Sequence, residues 1–179
     1  YWGVKDVRGI HRVFGIAMSL VTVLSLAFTA ISVGAPEWAI SLFNRTPAVV
    51  EQGVAYLKIA GCSYLPQMAV SMIGALLRST GRVKLPMVTA CLTTGVNILL
   101  DYAMIFGKWG FPAMGIAGAA WATTIAAWLG LVFQVAVSVF QKNILIGPLR
   151  EFFAFDRAML RDYCNKANPV VLNEVAWGL

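Results

Sequence analysis

One carboxylate, Asp101, sits inside an apolar run that extends from Leu85 to Gly107. An ionisable group in such a setting is costly and is a functional candidate by default. Asn97, Thr93 and Thr89 precede it in steps of four, so on a helix the four share one stripe. In the next apolar run Thr123 lies beside Gly118, Ala122, Ala126 and Gly130, again in steps of four. A small-residue face lets another helix approach closely in lipid. Thr123 can then turn its hydroxyl toward Asn97 and Asp101. Carboxylate, amide carbonyl and hydroxyl are hard oxygen ligands that suit Na+. The carboxyl alone suits H+, because desolvation penalises its charged form. The residues leave open which ion is used, and a plain Asn–Asp–Thr structural clamp stands beside both readings. Glu174, after Pro169, is a second acid at the start of a further apolar piece. It is set between a cation or proton role and structural hydrogen bonding.

Other chemistry has little support. His11 is the only histidine and lies in a basic approach, where it reads as an interfacial residue. With three dispersed cysteines it forms no zinc-type ligand set, and no disulfide framework is expected. GIAGAAWAT opens a helix, but no phosphate-gripping Lys and Ser/Thr pair follows, so an ATP-driven pump is unsupported. An enzyme would need several catalytic groups at one depth, and the spans do not supply them. No cofactor is called for beyond the coupling ion.

The elements that carry these residues are membrane helices. The chain is 59% hydrophobic and 12% charged, against about a quarter charged in soluble domains. Val13 to Pro36 and Trp109 to Gln141 hold no charge at all. Gly53 to Leu77 holds Lys58 alone, and Leu85 to Gly107 holds Asp101 alone. Each run exceeds the roughly 20 residues that cross a bilayer as a helix. The fold class is therefore an all-α, polytopic membrane bundle, with spans near residues 13–34, 53–77, 86–107 and 115–140. A fifth span begins within 167–179. Pro66 should kink the second span. Lys58 reads as a lysine snorkelling to the headgroups rather than a substrate or lipid contact.

Charge in the loops sets the orientation. Lys5, Arg8, Arg12, Arg78, Arg82, Lys84, Lys142, Arg150, Arg157, Arg161 and Lys166 fall on one side; Arg45 and Lys108 fall on the other. That asymmetry makes the first side cytoplasmic. It also accounts for the net charge of +6 without nucleic acid as a partner. Residues 141–166 mix aromatics with charges. Phe152, Phe155, Met159 and Tyr163 fall on one helical face, as expected of an amphipathic piece on the inner membrane surface. Asp156 is placed to cap a helix that starts at Arg157.

Three phrases carry a family resemblance: LRSTGRVKLPM (77–87), NILLDYAMIFG (97–107) and GFPAMGIAGAAWAT (110–123). They resemble the fourth, fifth and sixth helices of the multidrug and toxic compound extrusion (MATE) transporters. The likeness extends weakly from YWGVKD to NPVVLNE. It implies residues 1–140 as part of the N-terminal lobe of a two-lobe, twelve-helix transporter. Residues 141–166 would be the linker between lobes and 167–179 the start of the seventh helix. The chain would then be a fragment, with the remainder of its own chain as a missing partner. The resemblance further implies antiport of H+ or Na+ against organic, often cationic compounds by alternating access across the plasma membrane. Asp101, Asn97 and Thr123 match the family's motif positions, and Glu174 matches loosely a coupling carboxylate found in some members. The nearest rival is a lipid-linked sugar flippase of the same superfamily. Such proteins line their cavity with basic residues, whereas the spans here hold only Lys58. A membrane scaffold that transports nothing is the other alternative.

Overall fold

The computed structural model describes residues 6–144, 147–154 and 156–178. They form helices without strands among the described residues: α1 (Val7–Gly34), α2 (Pro36–Ser41), α3 (Pro47–Ala60), α4 (Tyr64–Ser79), α5 (Lys84–Phe106), α6 (Ile116–Phe140), α7 (Leu149–Phe152) and α8 (Arg157–Gly178). Among the described residues, four segments are long and apolar enough to cross a membrane: α1, α3 with α4, α5 and α6. They coincide with the four charge-poor runs.

The first two spans begin earlier than hydropathy alone suggests. Asp6 caps α1 by accepting the Gly9 N–H at 2.9 Å, so Arg8, His11 and Arg12 lie within the helix. Pro47 occupies the first turn of α3, where its missing N–H removes nothing from the ladder. The Asn44 side chain holds the approach by accepting the Thr46 N–H at 2.8 Å. Lys58 is exposed.

The second span is interrupted just before Pro66, where a kink is expected, and the interruption is built into the packing. Pro66 cannot donate to the turn before it, and the chain tightens into a 3₁₀ turn at Gly61–Ser63 between α3 and α4. Neighbouring helices take up carbonyls beside the break. Thr29 of α1 donates to the Gly61 carbonyl at 2.9 Å, and Thr124 of α6 donates to the Ile59 carbonyl at 3.2 Å. A Cβ on Gly61 would stand 2.7 Å from the Ser32 Cβ, so α1 and α3 touch at the bend.

α5 and α6 make the most extensive helix–helix contact among the described residues. Gly118, Ala122, Ala126 and Gly130 are all buried, as their spacing predicts. A Cβ on Gly118 would stand 2.7 Å from the Met104 carbonyl oxygen, and one on Gly130 would meet the Thr93 methyl. Glycines end the preceding turns. Gly81 (φ 80°) follows α4, and Gly107 (φ 66°) caps α5 in the left-handed region. Large apolar side chains such as Val23, Phe28, Ile98, Leu99 and Val132 point outward. That surface suits lipid and the rest of a larger bundle.

The amphipathic piece breaks where Asp156 is expected to start a new helix at Arg157. It is two helices, because α7 stops at Phe152 and α8 starts at Arg157. Phe152 is therefore buried against α1, with its ring 4.5 Å from His11 and 6.0 Å from Phe14. Met159 and Tyr163 belong to α8, and Phe155 lies outside the described residues. The Asp156 carboxylate accepts the Arg157 N–H at 2.7 Å, and its carbonyl accepts the Leu160 N–H. α8 then continues through Pro169 to Gly178. Lys5 and the rest of residues 1–5 also lie outside the described residues.

Candidate functional site

A cleft of about 290 Å³ opens between α4, α5 and α6. Its polar lining is Gln67 and Ser71 from α4, Thr93, Thr94 and Asn97 from α5, and Thr123 from α6. Each helix supplies its share through periodicity. Ser63, Gln67 and Ser71 are spaced by four, as are Thr89, Thr93 and Asn97. Ala126 and Ala127 leave room on the α6 wall.

Hydrogen bonds fix part of this lining. Gln67 Nε2 donates to the Ser63 hydroxyl at 2.8 Å, which turns the amide along α4. Thr93 and Thr89 return their hydroxyls to the carbonyls of Thr89 and Leu85, each at 3.0 Å. Their methyl groups then face α6, where Gly130 accepts them. Asn97 Nδ2 donates to Thr123 Oγ1 across the α5–α6 seam at 3.5 Å, a long contact at the limit of a hydrogen bond. The Asn97 carbonyl oxygen accepts no hydrogen bond among the described residues.

The sequence groups Asp101 with Asn97 and Thr123. The structure brings Asn97 and Thr123 together, and Asp101 follows one turn along α5. Among the described residues Asp101 makes no hydrogen bond to either of them. Its Oδ1 is buried and has no partner. Asp101 as a whole is only half-buried, so that oxygen is open to a proton, an ion, water or a group elsewhere in a longer bundle. α8 includes Glu174, whose side chain lies outside the described residues.

Sequence reasoning missed three features. Gln67 and Ser71 line the cleft, and their spacing by four could have flagged them. Thr29 and Thr124 stabilise the Pro66 bend, which no local signal reveals. His11 is 3% exposed, packed inside the lobe. Its Nδ1 lies 2.9 Å from Glu151 Oε2 and its Nε2 lies 2.8 Å from the Ile144 carbonyl. Arg8 Nε stands 3.7 Å from the other Glu151 oxygen. These partners lie some 140 residues apart in sequence, beyond the reach of periodicity.

Comparison with known proteins decides the family. The MatE family profile matches residues 1–103. The chain belongs to the MATE family. Among curated relatives, a probable multidrug resistance protein NorM of Thermotoga maritima is 39% identical over 92 residues, covering 51% of this chain and 20% of that protein. A probable NorM of Deinococcus radiodurans is 36% identical over 133 residues, covering 71% of this chain and 28% of that protein. The uncharacterized transporter YisQ of Bacillus subtilis is 27% identical over 159 residues, covering 87% and 34%. A solved structure, an inward-facing multidrug resistance MATE family transporter of the MOP superfamily, superposes with a TM-score of 0.77 at 21% identity. It covers 91% of this chain and 36% of that one. The chain thus spans about a third or less of these relatives' length, and the shared fold is that of a MATE membrane bundle.

Proposed function

We propose that this MATE chain forms part of a secondary transporter that exports organic, often cationic compounds in exchange for H+ or Na+. The Asp101 carboxylate, one turn from the polar α4–α6 cleft and with its Oδ1 unpartnered among the described residues, carries the reading. A structural clamp would bond Asp101 to its neighbours, whereas a coupling carboxylate must be able to take up and release its ion. With Na+, the Asp101 carboxylate, the Asn97 carbonyl and the Thr123 hydroxyl are the oxygens that could converge on it. With H+, Asp101 alone suffices. The names of the NorM relatives support a multidrug substrate range.

The basic end of the bundle is taken as cytoplasmic in a plasma membrane, from the distribution of Arg and Lys. Alternating access between two lobes would expose the cleft to each side in turn. Each inward charge moving through 100 mV contributes about 2.3 kcal/mol, enough for modest concentrative export. Lys58 lies outside the cleft lining, so nothing there favours a phosphate-bearing lipid substrate.

The test is Asp101→Asn in the full-length transporter, reconstituted in vesicles under imposed H+ and Na+ gradients. Ethidium export should fall to background while Tm changes little, because Asn keeps the shape and no bond is lost. Wild-type export by this variant would remove Asp101 from the coupling role and leave Glu174 as the remaining acid candidate.

A further inference from the structure

The segment that leads from α6 into α8 folds back onto the start of α1, and one side chain ties it there. His11 is buried. Its Nδ1 lies 2.9 Å from Glu151 Oε2 and its Nε2 lies 2.8 Å from the Ile144 carbonyl oxygen. Two glycines make the approach possible. A Cβ on Gly15 would collide with the Phe152 carbonyl group, and one on Gly147 would collide with the His11 ring. The ring thus stands among Ile144, Gly147, Glu151 and Phe152. The segment cannot leave α1 without uncovering it.

The two ring nitrogens face two acceptors. A backbone carbonyl only accepts, and so does an ionised carboxylate. A neutral imidazole has a single N–H, so it serves one acceptor and turns a lone pair toward the other. An imidazolium has two N–H groups and serves both. The Phe152 ring, 4.5 Å from His11 between centroids, also favours a cation beside it. Arg8 shares the carboxylate, with its Nε 3.7 Å from Glu151 Oε1.

The other charged groups on the neighbouring elements offer His11 no alternative partner. Arg12 on α1, Arg78 on α4, Lys142 ahead of α7 and Arg150 on α7 are exposed cations. Asp6 accepts the Gly9 N–H. α8 meets α1 at Val13 through Asp162, Tyr163 and Lys166, and there Asp162 is paired with Lys166. We infer that a doubly protonated His11 latches α7 to α1, so that raising the pH releases the segment leading into α8. The docked segment needs a proton on each ring nitrogen, whereas the free ring gives one up in base. Docking therefore takes up a proton and weakens as the pH rises. This inference stands independently of what is transported and of which ion is coupled.

The experiment is hydrogen-exchange mass spectrometry of the full-length protein in lipid nanodiscs at about pH 6 and about pH 9. Rates across 149–154 are expressed relative to an unstructured chain at the same pH. Protection should be several-fold higher at the lower pH in the wild type, with no such change in α5 or α6. His11→Gln should lose the difference, because glutamine stays neutral at both values. In protein labelled with ¹⁵N at histidine, the His11 signals, identified by their loss in His11→Gln, should show both ring nitrogens protonated at the lower pH. Equal protection of 149–154 at both pH values in the wild type overturns the inference, as does an unchanged pH dependence in His11→Gln. A ring with one bare nitrogen at the lower pH while 149–154 stays protected also overturns it, since the latch then needs no second proton on His11.

Discussion

Gly118 offers the most direct test of how this lobe is assembled. In an exposed helix interior, Gly→Ala gains up to about 1 kcal/mol, because Ala restricts the unfolded chain. Gly95, on the open side of α5, should behave this way, since a Cβ there meets nothing within 4 Å. At Gly118 the added methyl would stand 2.7 Å from the Met104 carbonyl oxygen and 3.1 Å from the Ile105 nitrogen. Both are backbone atoms, which cannot swing aside as a side chain would. The α5 backbone must retreat by about 0.7 Å to restore ordinary contact, and a gap of that size forfeits about a quarter to a half of each affected dispersion well. Overpacking of this kind costs about 1–3 kcal/mol, enough to cancel the propensity gain and leave a net loss on the order of 1 kcal/mol.

The two variants should therefore shift stability in opposite directions. Gly95→Ala should raise the Tm of the full-length protein in detergent, and Gly118→Ala should lower it. Gly118→Leu should lower it further and weaken transport, because Asn97 and Thr123 meet across the same seam. A Gly118→Ala protein as stable as the wild type would refute the close α5–α6 approach on which the cleft depends.

Three further outcomes follow from individual contacts. Thr29→Val removes the hydroxyl that serves the Gly61 carbonyl at 2.9 Å; it should cost about 1 kcal/mol, read as a lower Tm, and Thr29→Ser should restore most of it. Gly81→Ala places a Cβ at φ 80° and should cost about 1 kcal/mol through strain alone, while Gly81→Asn should be milder. Glu151→Gln weakens the contacts of α7 with His11 and Arg8 and should speed amide exchange across 149–154 without altering exchange in α5 or α6, as hydrogen-exchange mass spectrometry would report.

Most of the bundle was legible because lipid imposes a simple rule. A spanning segment must satisfy its backbone internally, so charge-free runs of sufficient length become helices, and their ends follow from Pro, Gly and basic residues. The α5–α6 pairing was equally legible, since small residues in steps of four have little other use at a helix seam. What stayed hidden depends on partners far apart in sequence. Asp6 caps α1 through one local bond, yet nothing in the apolar pattern distinguishes that start from Val13. His11 finds Glu151 and Ile144 only once α7 has folded back onto α1. Asp156 signalled where α8 starts, but not that Phe152 leaves the face of Met159 and Tyr163 to pack on His11 and Phe14 of α1.

The candidate site divides along the same line. Spacing by four placed Asn97 on the stripe with Thr93, and the small-residue face brought Thr123 opposite it. Spacing also placed Asp101 on that stripe, but an α-helix advances by 100° and 1.5 Å per residue, so a position four residues on is displaced by a full turn along the axis. Even so, among the described residues Asp101 bonds neither Asn97 nor Thr123, and its Oδ1 has no partner there. An unpaired carboxylate in a membrane helix is tolerable only when something arrives to complete it. Under the proposed coupling role, whatever completes it must also be able to leave, which a clamp would not require. The polar groups that could stabilise an intermediate position, the Asn97 carbonyl and the Thr123 hydroxyl, lie on the cleft side of that turn. An ion or proton leaving Asp101 toward the cleft would therefore meet hydrogen-bonding groups rather than hydrocarbon, and Asn97→Leu should slow exchange at Asp101 more than Thr123→Ala does.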